Sequence, residues 1–100
     1  MAWKRIQVRT IPNANTNFER MSAEVIAYMK TNYDDAGKRT SFSVSSSDDG
    51  LVLTYTSIFR DEASKNEFLA DSTIAAESTR RNTINASNGI TKEITVDEEV

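Results

Sequence analysis

The sequence contains no cysteine and no histidine. Without cysteine the chain has no disulfide, no thiolate nucleophile and no zinc-finger site. Without histidine it lacks the commonest general base and the commonest metal ligand. It has only three glycines and one proline, and none of the glycine-rich loops that hold phosphates. From these absences we expect no catalytic residue, no metal and no cofactor.

Long apolar runs are also missing, and negative charge slightly exceeds positive charge. No stretch approaches the roughly 18 apolar residues of a membrane-spanning helix, and the first residues lack the apolar run of a signal peptide. A net charge of −3 disfavours nucleic acid and anionic membranes as partners. The sequence therefore predicts a cytoplasmic protein that binds neither nucleic acid nor membrane.

Four segments alternate between apolar and polar residues, which is typical of strands with one buried face. They span residues 3–11, 38–46, 51–60 and 90–96. In the first, Ile6 and Val8 lie on one side, and Trp3, Arg5, Gln7, Arg9 and Ile11 lie on the other. We expect the side with Ile6 and Val8 to face the core.

Two helical regions separate these strands. A capping box at Thr16 and Glu19, followed by apolar residues at helical spacing, predicts a helix over residues 17–34. Residues 61–87 predict two short helices, or one helix broken near residues 70–73. The domain is expected to span residues 1–96, with residues 97–100 as an acidic tail.

The order of elements, βαββαβ, predicts an α+β domain of the ferredoxin-like kind, with a four-stranded antiparallel sheet and both helices on one face. Asp49-Gly50 predicts a hairpin turn. A two-residue loop would pair residue 44 with residue 55 and a four-residue loop would pair it with residue 53, and either loop puts Phe42 and Val44 on the face of Leu53 and Tyr55. The predicted core consists of Ile6, Val8, Phe42, Val44, Leu53, Tyr55, Phe59, Ile94 and Val96 from the sheet, with Phe18, Met21, Val25, Met29, Phe68 and Leu69 from the helices.

The opposite face of the sheet is predicted to be uncovered and rich in threonine and serine. It can be solvated, it can be a homodimer interface, or it can be a platform for single-stranded nucleic acid; the scarcity of aromatic residues argues against the last reading. Arg5 and Arg9 could bind an anion there, or pair with Glu93 or a partner subunit. The candidate dimer or ligand face comprises Trp3, Arg5, Arg9, Val52, Thr54, Thr56, Ile58 and Glu93.

One junction of the chain resembles a known superfamily. The segment 55–63, Tyr-Thr-Ser-Ile-Phe-Arg-Asp-Glu-Ala, followed by Phe68-Leu69-Ala70-Asp71, is similar to the junction between third strand and second helix in dimeric α+β barrel proteins, which include the antibiotic-biosynthesis-monooxygenase-like proteins. The resemblance implies a homodimer in which two open sheet faces form a barrel. The resemblance carries no catalytic residue to this chain. Members that act on small aromatic substrates or haem often use a histidine, and this chain has none.

Two hypotheses of function follow. The first is a non-enzymatic homodimeric module with a structural or interaction role. The alternative is a small cofactor-free enzyme or small-molecule-binding protein of the dimeric α+β barrel type. The alternative predicts a cavity between sheet and helices lined by tyrosine, arginine or asparagine, and a fully packed interior would exclude it.

Overall fold

The computed structural model describes residues 1–100 and has an α+β architecture with one four-stranded antiparallel sheet and three helices. The strands are β1 (Trp3–Thr10), β2 (Arg39–Ser46), β3 (Val52–Phe59) and β4 (Thr91–Glu99). The helices are α1 (Ala23–Met29), α2 (Glu62–Ala70) and α3 (Ser72–Ser87), and a π-helical turn at Lys30–Asp34 extends α1. The strands lie in the order β2-β3-β1-β4, which is compatible with a ferredoxin-like arrangement.

The β2–β3 hairpin has one of the two registers left open by the sequence, the one derived for a two-residue loop. Val44 pairs with Tyr55 and Phe42 with Ser57. The turn itself is wider than a two-residue turn: Ser47 N donates to Val52 O at 2.9 Å, and only Gly50 has a positive φ, of 74°. The predicted faces are still correct, because loops of two and of four residues place the same residues on the same face of the hairpin.

The predicted helix over residues 17–34 is wrong in its first part, because α1 begins only at Ala23. Residues 12–22 instead form an irregular segment, called the strap here, that crosses to α3. Glu19 does not complete a capping box: its backbone bonds to Asn85 and its carboxylate pairs with Arg80. Ser22 is the actual N-cap, and its side chain accepts a hydrogen bond from Val25 N.

The second helical region is two helices, one of the two predicted alternatives, although the second helix is longer than expected. Asp71 separates them in an extended conformation and caps α3, since its Oδ1 accepts hydrogen bonds from Thr73 N and Ile74 N. Tyr28 and Tyr33 both donate their hydroxyl protons to Asp71 Oδ2, at 2.8 and 2.7 Å. Residues 72–87 form one continuous helix of 16 residues.

The predicted orientation of β1 is wrong. Gln7 pairs with Tyr55 and Trp3 pairs with Phe59, so the side of β1 that carries Arg5 and Arg9 lies under the helices. Ile6 and Val8 pair with Thr56 and Thr54 and lie on the opposite, open face. The reason is the register: directly paired residues of neighbouring strands share a face, and Phe59 is buried under the helices.

Strand β4 continues through residues 97–99, which were expected to be a tail and which instead pair with Trp3–Arg5. A bulge in β4 lies opposite the step from Ile6 to Gln7. It puts Val96 beside Ile6 on the open face and Ile94 beside Gln7 on the other face. The prediction that Ile94 and Val96 point inward together is therefore wrong for Val96.

The hydrophobic core is small and lies at one end of the space between sheet and helices. Its buried members are Met29, Tyr33, Phe59, Phe68 and Ile74, with Trp3, Met21, Val25 and Tyr28 packed around them. The ring of Phe68 lies 5.0 Å from that of Tyr33 and 5.2 Å from that of Phe59. Ten of the fifteen predicted core residues are absent from this cluster: Ile6, Val8, Phe42, Val44, Leu53, Tyr55, Ile94 and Val96 from the sheet, and Phe18 and Leu69 from the helices.

Candidate functional site

A cavity of about 840 Å³ occupies the rest of the space between the sheet and the helices. Its floor is formed by the helix-facing residues of the sheet, and its roof by the strap and parts of all three helices. Tyr55, three arginines of β1 and α3, and Asn82 are among its lining residues. The cavity predicted by the ligand-binding hypothesis, lined by tyrosine, arginine and asparagine, is therefore present.

Four cationic side chains meet on one side of the cavity: Arg5, Arg9, Arg81 and Lys92, called the cationic cluster here. Arg5 and Arg9 lie four residues apart on β1, an even spacing, so they point to the same side of the sheet. Lys92 is paired with Arg9 across the β1–β4 ladder, and Arg81 projects from α3. Arg9 Nη2 donates to Asn82 Oδ1 at 2.8 Å, which fixes the guanidinium group.

The cluster is short of negative charge. The only carboxylates among the residues that line the cavity are Asp34 and Asp35, which lie at the far end near β2. Asp97 approaches Arg5 Nε no closer than 4.0 Å, and it also accepts a hydrogen bond from Trp3 Nε1 at 2.5 Å. Positive charge therefore exceeds negative charge within the cavity at this end.

Three guanidinium N–H groups of the cluster have no acceptor. The Nε atoms of Arg5, Arg9 and Arg81 are buried and make no hydrogen bond. Arg9 is only 3% exposed and Arg81 only 8% exposed. A buried polar group without a partner costs about 1–3 kcal/mol, and more when it is charged, so such groups require an explanation.

The pKa values in the cluster respond to this surplus of charge. Burial lowers the pKa of Arg9, and the neighbouring positive charge of Arg81 lowers it further. Partial burial likewise lowers the pKa of Lys92, with contributions from Arg9, Arg5 and Arg81. Both directions mean that the protein around these groups disfavours their positive charge and that an anion placed among them would relieve the repulsion.

The strap forms the part of the cavity wall next to the cluster, through Phe18, Arg20 and Met21. The Arg81 guanidinium lies 6.0 Å from the centre of the Phe18 ring, within the range of a cation–π contact. The strap is held on α3 by polar contacts. Ser22 N donates to Glu77 Oε2 at 2.6 Å, and Asn88 Nδ2 donates to Asn17 O at 3.0 Å.

Glu77 makes the strap sensitive to acid. Hydrogen bonds from Arg80 and from Ser22 N lower the pKa of Glu77 from 4.5 to about 2. A carboxylate with a lowered pKa in the folded state stabilises the fold above its unfolded pKa, and this stabilisation is lost as the pH falls from about 4.5 towards 2.

We therefore expect Glu77→Gln to flatten the loss of folding stability between pH 4.5 and about pH 2. Urea denaturation followed across this range measures the effect. Glu24→Gln, which removes an exposed carboxylate without a side-chain partner, is the control. An unchanged slope in Glu77→Gln would contradict the assignment of the acid-sensitive contact to Glu77.

The eight residues of the predicted dimer or ligand face are divided between the two faces of the sheet. Arg5 and Arg9 lie in the cavity. Trp3 lies on the same side and packs against the core, with Lys65 Nζ 4.7 Å from its ring centre. Five residues lie on the open face together with Ile6 and Val8: Val52, Thr54, Thr56, Ile58 and Glu93. Because the two groups are separated by the sheet, they do not form one surface.

Several cavity residues were not predicted as site residues. Neither Arg81 nor Lys92 was among the predicted site residues, although both line the cavity. The alternation of the last strand could have indicated Lys92, since it lies two residues before Ile94, which was predicted to point inward. No signal in the sequence indicated Arg81, because α3 has only a thin apolar side and its inward direction depends on the tertiary packing.

Outside the cationic cluster, the structure offers neither a reactive tyrosine at position 33 nor a metal site. Burial and the bond to Asp71 raise the pKa of Tyr33, which keeps its hydroxyl group protonated. The structure contains no group of three or more acidic side chains that could hold a metal ion. None of the helices is both long and apolar enough to span a membrane.

Compared with protein-family models, with curated proteins and with solved structures, the chain shows no match to any of them.

Proposed function

We propose that this protein binds a small organic anion in the cavity between its sheet and its helices. The observation that carries the proposal is the cationic cluster, in which the Nε atoms of Arg5, Arg9 and Arg81 are buried without an acceptor. A carboxylate bound among these side chains would bring hydrogen-bond acceptors and negative charge to a cluster whose cavity end has no carboxylate. It would also offset the like-charge repulsion from Arg9, Arg5 and Arg81, which adds to the effect of burial in lowering the pKa of Lys92.

The size and lining of the cavity support a small-molecule ligand. Ligand cavities typically have volumes of about 300–1,000 Å³ and are mostly apolar with a few fixed polar groups. The volume of about 840 Å³ lies within this range. Arg9 is held by Asn82, so part of the anion-binding geometry exists before the ligand arrives.

Calorimetric titration with benzoate and with its neutral analogue benzamide tests the proposal. We expect benzoate to bind and benzamide to bind at least tenfold more weakly, because a hydrogen bond to a charged group contributes about 1.5–3 kcal/mol. Added salt should weaken benzoate binding, though less than for exposed charges. Equal affinity for both compounds, or no binding of either, would contradict anion recognition.

We further propose that the fold is ferredoxin-like and that two copies pair through their open sheet faces, as the resemblance to dimeric α+β barrel proteins implies. The supporting observation is that the open face carries apolar Ile6, Val8 and Ile58 beside Thr54 and Thr56. None of these five residues belongs to the core or lines the cavity. β-Branched side chains on a pleated surface pack well against a second sheet.

Sedimentation velocity tests the homodimer. The protein is expected to sediment as a dimer at tens of micromolar, and Val8→Lys is expected to convert it to a monomer because the change buries a charge in the interface. Thr83→Lys adds the same charge at an exposed position of α3 and should leave the dimer intact. A monomeric wild-type protein at this concentration would contradict the proposed pairing.

A further inference from the structure

We propose that the ligand of this cavity is an amphipathic carboxylic acid, with its carboxylate at the cationic cluster and its apolar body extending towards β2. This inference rests on the anion binding proposed above and specifies the chemical class of the anion. It follows from the way in which charge and apolar surface are separated along the cavity.

The end of the cavity near β2 is apolar and open to solvent. Phe42 and Val44 of β2 line it and are 47% and 50% exposed. Ile26 of α1 and Leu69 of α2 also line the cavity, and they are 54% and 38% exposed. Exposed apolar side chains gathered at one opening mark surfaces that bind apolar groups.

The charges at this apolar end are already neutralised within the protein. Arg39 donates to Asp34 through Nε at 2.6 Å and through Nη2 at 3.0 Å. Lys30 Nζ bonds to Asp35 Oδ1 at 2.9 Å. The unsatisfied cationic donors therefore lie only at the other end, which sets the direction in which a ligand with one charged end must enter.

The spacing of the strands gives the distance between the cationic cluster and the apolar opening, and therefore the length of a ligand that reaches both. Arginines of the cluster lie on β1, and the apolar opening lies on β2, two strands away in the order β2-β3-β1-β4. With neighbouring strands about 4.8 Å apart, the distance is about 10 Å from β1 and about 14 Å from Lys92 on β4. Between the two ends the floor is formed by Tyr55 and Ser57 of β3. A medium-length acyl chain or a linear aromatic body fits this distance.

A series of straight-chain saturated carboxylates from butyrate to tetradecanoate, used below their critical micelle concentrations, tests the inference by calorimetry. Affinity is expected to rise about fourfold per methylene group, the value for full burial. The rise should stop once the chain spans the roughly 10–14 Å to the opening at β2. Decanol should bind at least tenfold more weakly than decanoate, because it lacks the charge that the cluster recognises.

A variant of the apolar end distinguishes this binding mode from adsorption elsewhere. The double change Phe42→Ser and Val44→Ser should lower the affinity for decanoate at least tenfold and leave the affinity for butyrate unchanged. Both residues are half exposed, so the fold should tolerate the change, and thermal unfolding of the variant verifies it. Ser43→Ala, on the opposite face of the same strand, should bind decanoate like the wild-type protein.

The outcomes separate this inference from the proposed function. If butyrate and decanoate bind equally well, the amphipathic ligand is contradicted while anion binding stands. If decanoate binds but the double variant binds it equally well, the proposed direction of the apolar body is overturned. If no member of the series binds and benzoate also fails, anion binding itself is wrong.

Discussion

Arg9→Met is expected to lower the affinity for benzoate about a hundredfold, or about 2.7 kcal/mol, and at the same time to raise the free energy of unfolding. Arg9 is 3% exposed, and its pKa is lowered by burial and by Arg81. Truncating one partner of a buried charge pair costs about 2–5 kcal/mol of binding free energy. Removing a buried charge that has no counter-ion in the free protein should stabilise the fold by about 1 kcal/mol.

Opposite effects on binding and on stability would distinguish a binding residue from a structural one. Calorimetric titration gives the affinity, and urea denaturation gives the free energy of unfolding. Lys4→Met, on the open face of the same strand, removes the same charge and should change benzoate binding by less than about twofold, because the sheet separates Lys4 from the cavity. A destabilised Arg9→Met variant that still binds benzoate normally would mean that Arg9 serves the fold.

Arg9→Lys refines the test. Lysine keeps the positive charge but lacks the planar donor groups that hold a carboxylate in a bidentate geometry. Its ammonium group would also lose the fixed position that Asn82 gives to the arginine side chain. We expect affinity between that of the wild-type protein and that of Arg9→Met. Equal affinity of Arg9→Lys and the wild-type protein would show that only charge matters at this position.

The sequence predicted the elements of this fold better than it predicted their faces. Alternation predicted four strands, and the hairpin predicted correctly that Phe42 and Val44 share a face with Leu53 and Tyr55, although it left two registers open. The same alternation was misleading in β1. Its two aliphatic residues, Ile6 and Val8, lie outside, because the helix-facing side of β1 forms the floor of a cavity. A strand that carries a polar binding site on its inner face reverses the usual pattern.

A signal for the reversal was present in the flanking residues. Trp3 and Ile11 share the parity of Arg5, Gln7 and Arg9, and both ends of this side are apolar. In the structure Trp3 packs against the core and Ile11 is buried. The inner side of β1 and the residue after it thus have an apolar residue at each end, and the arginines between them line the cavity.

The start of α1 could not be read from local sequence. Thr16 and Glu19 satisfy the capping-box pattern, but in the structure the partners of Glu19 come from α3, more than 60 residues away. Local patterns describe what a segment does in isolation, and the contacts made by Asn85 and Arg80 override them. The position of the strap, and with it one wall of the cavity, is therefore a tertiary property.

Asn85→Ala is expected to lower the free energy of unfolding by about 2–4 kcal/mol, because it removes the central anchor of the strap. Asn85 has 0% exposure. Its Oδ1 accepts from Glu19 N at 2.8 Å, and its Nδ2 donates to Glu19 O at 3.2 Å. Alanine would leave both backbone groups without these partners in a partly buried position, and it would also leave a small void. Urea denaturation measures the loss.

Asn88→Ala and Asn85→Asp locate the cause of this loss. Asn88 lies just after the same helix and bonds to the strap at Asn17 O, but it is exposed, so its removal should cost less than about 1 kcal/mol. Asn85→Asp keeps the acceptor for Glu19 N but places a carboxylate against Glu19 O, so its cost should be at least as large as that of alanine.

Because Phe18 and Met21 of the strap line the cavity, both Asn85 variants should also bind benzoate more weakly than Asn88→Ala does. Equal stability of Asn85→Ala and Asn88→Ala would place the anchor elsewhere, in the contacts of Glu77 and Arg80.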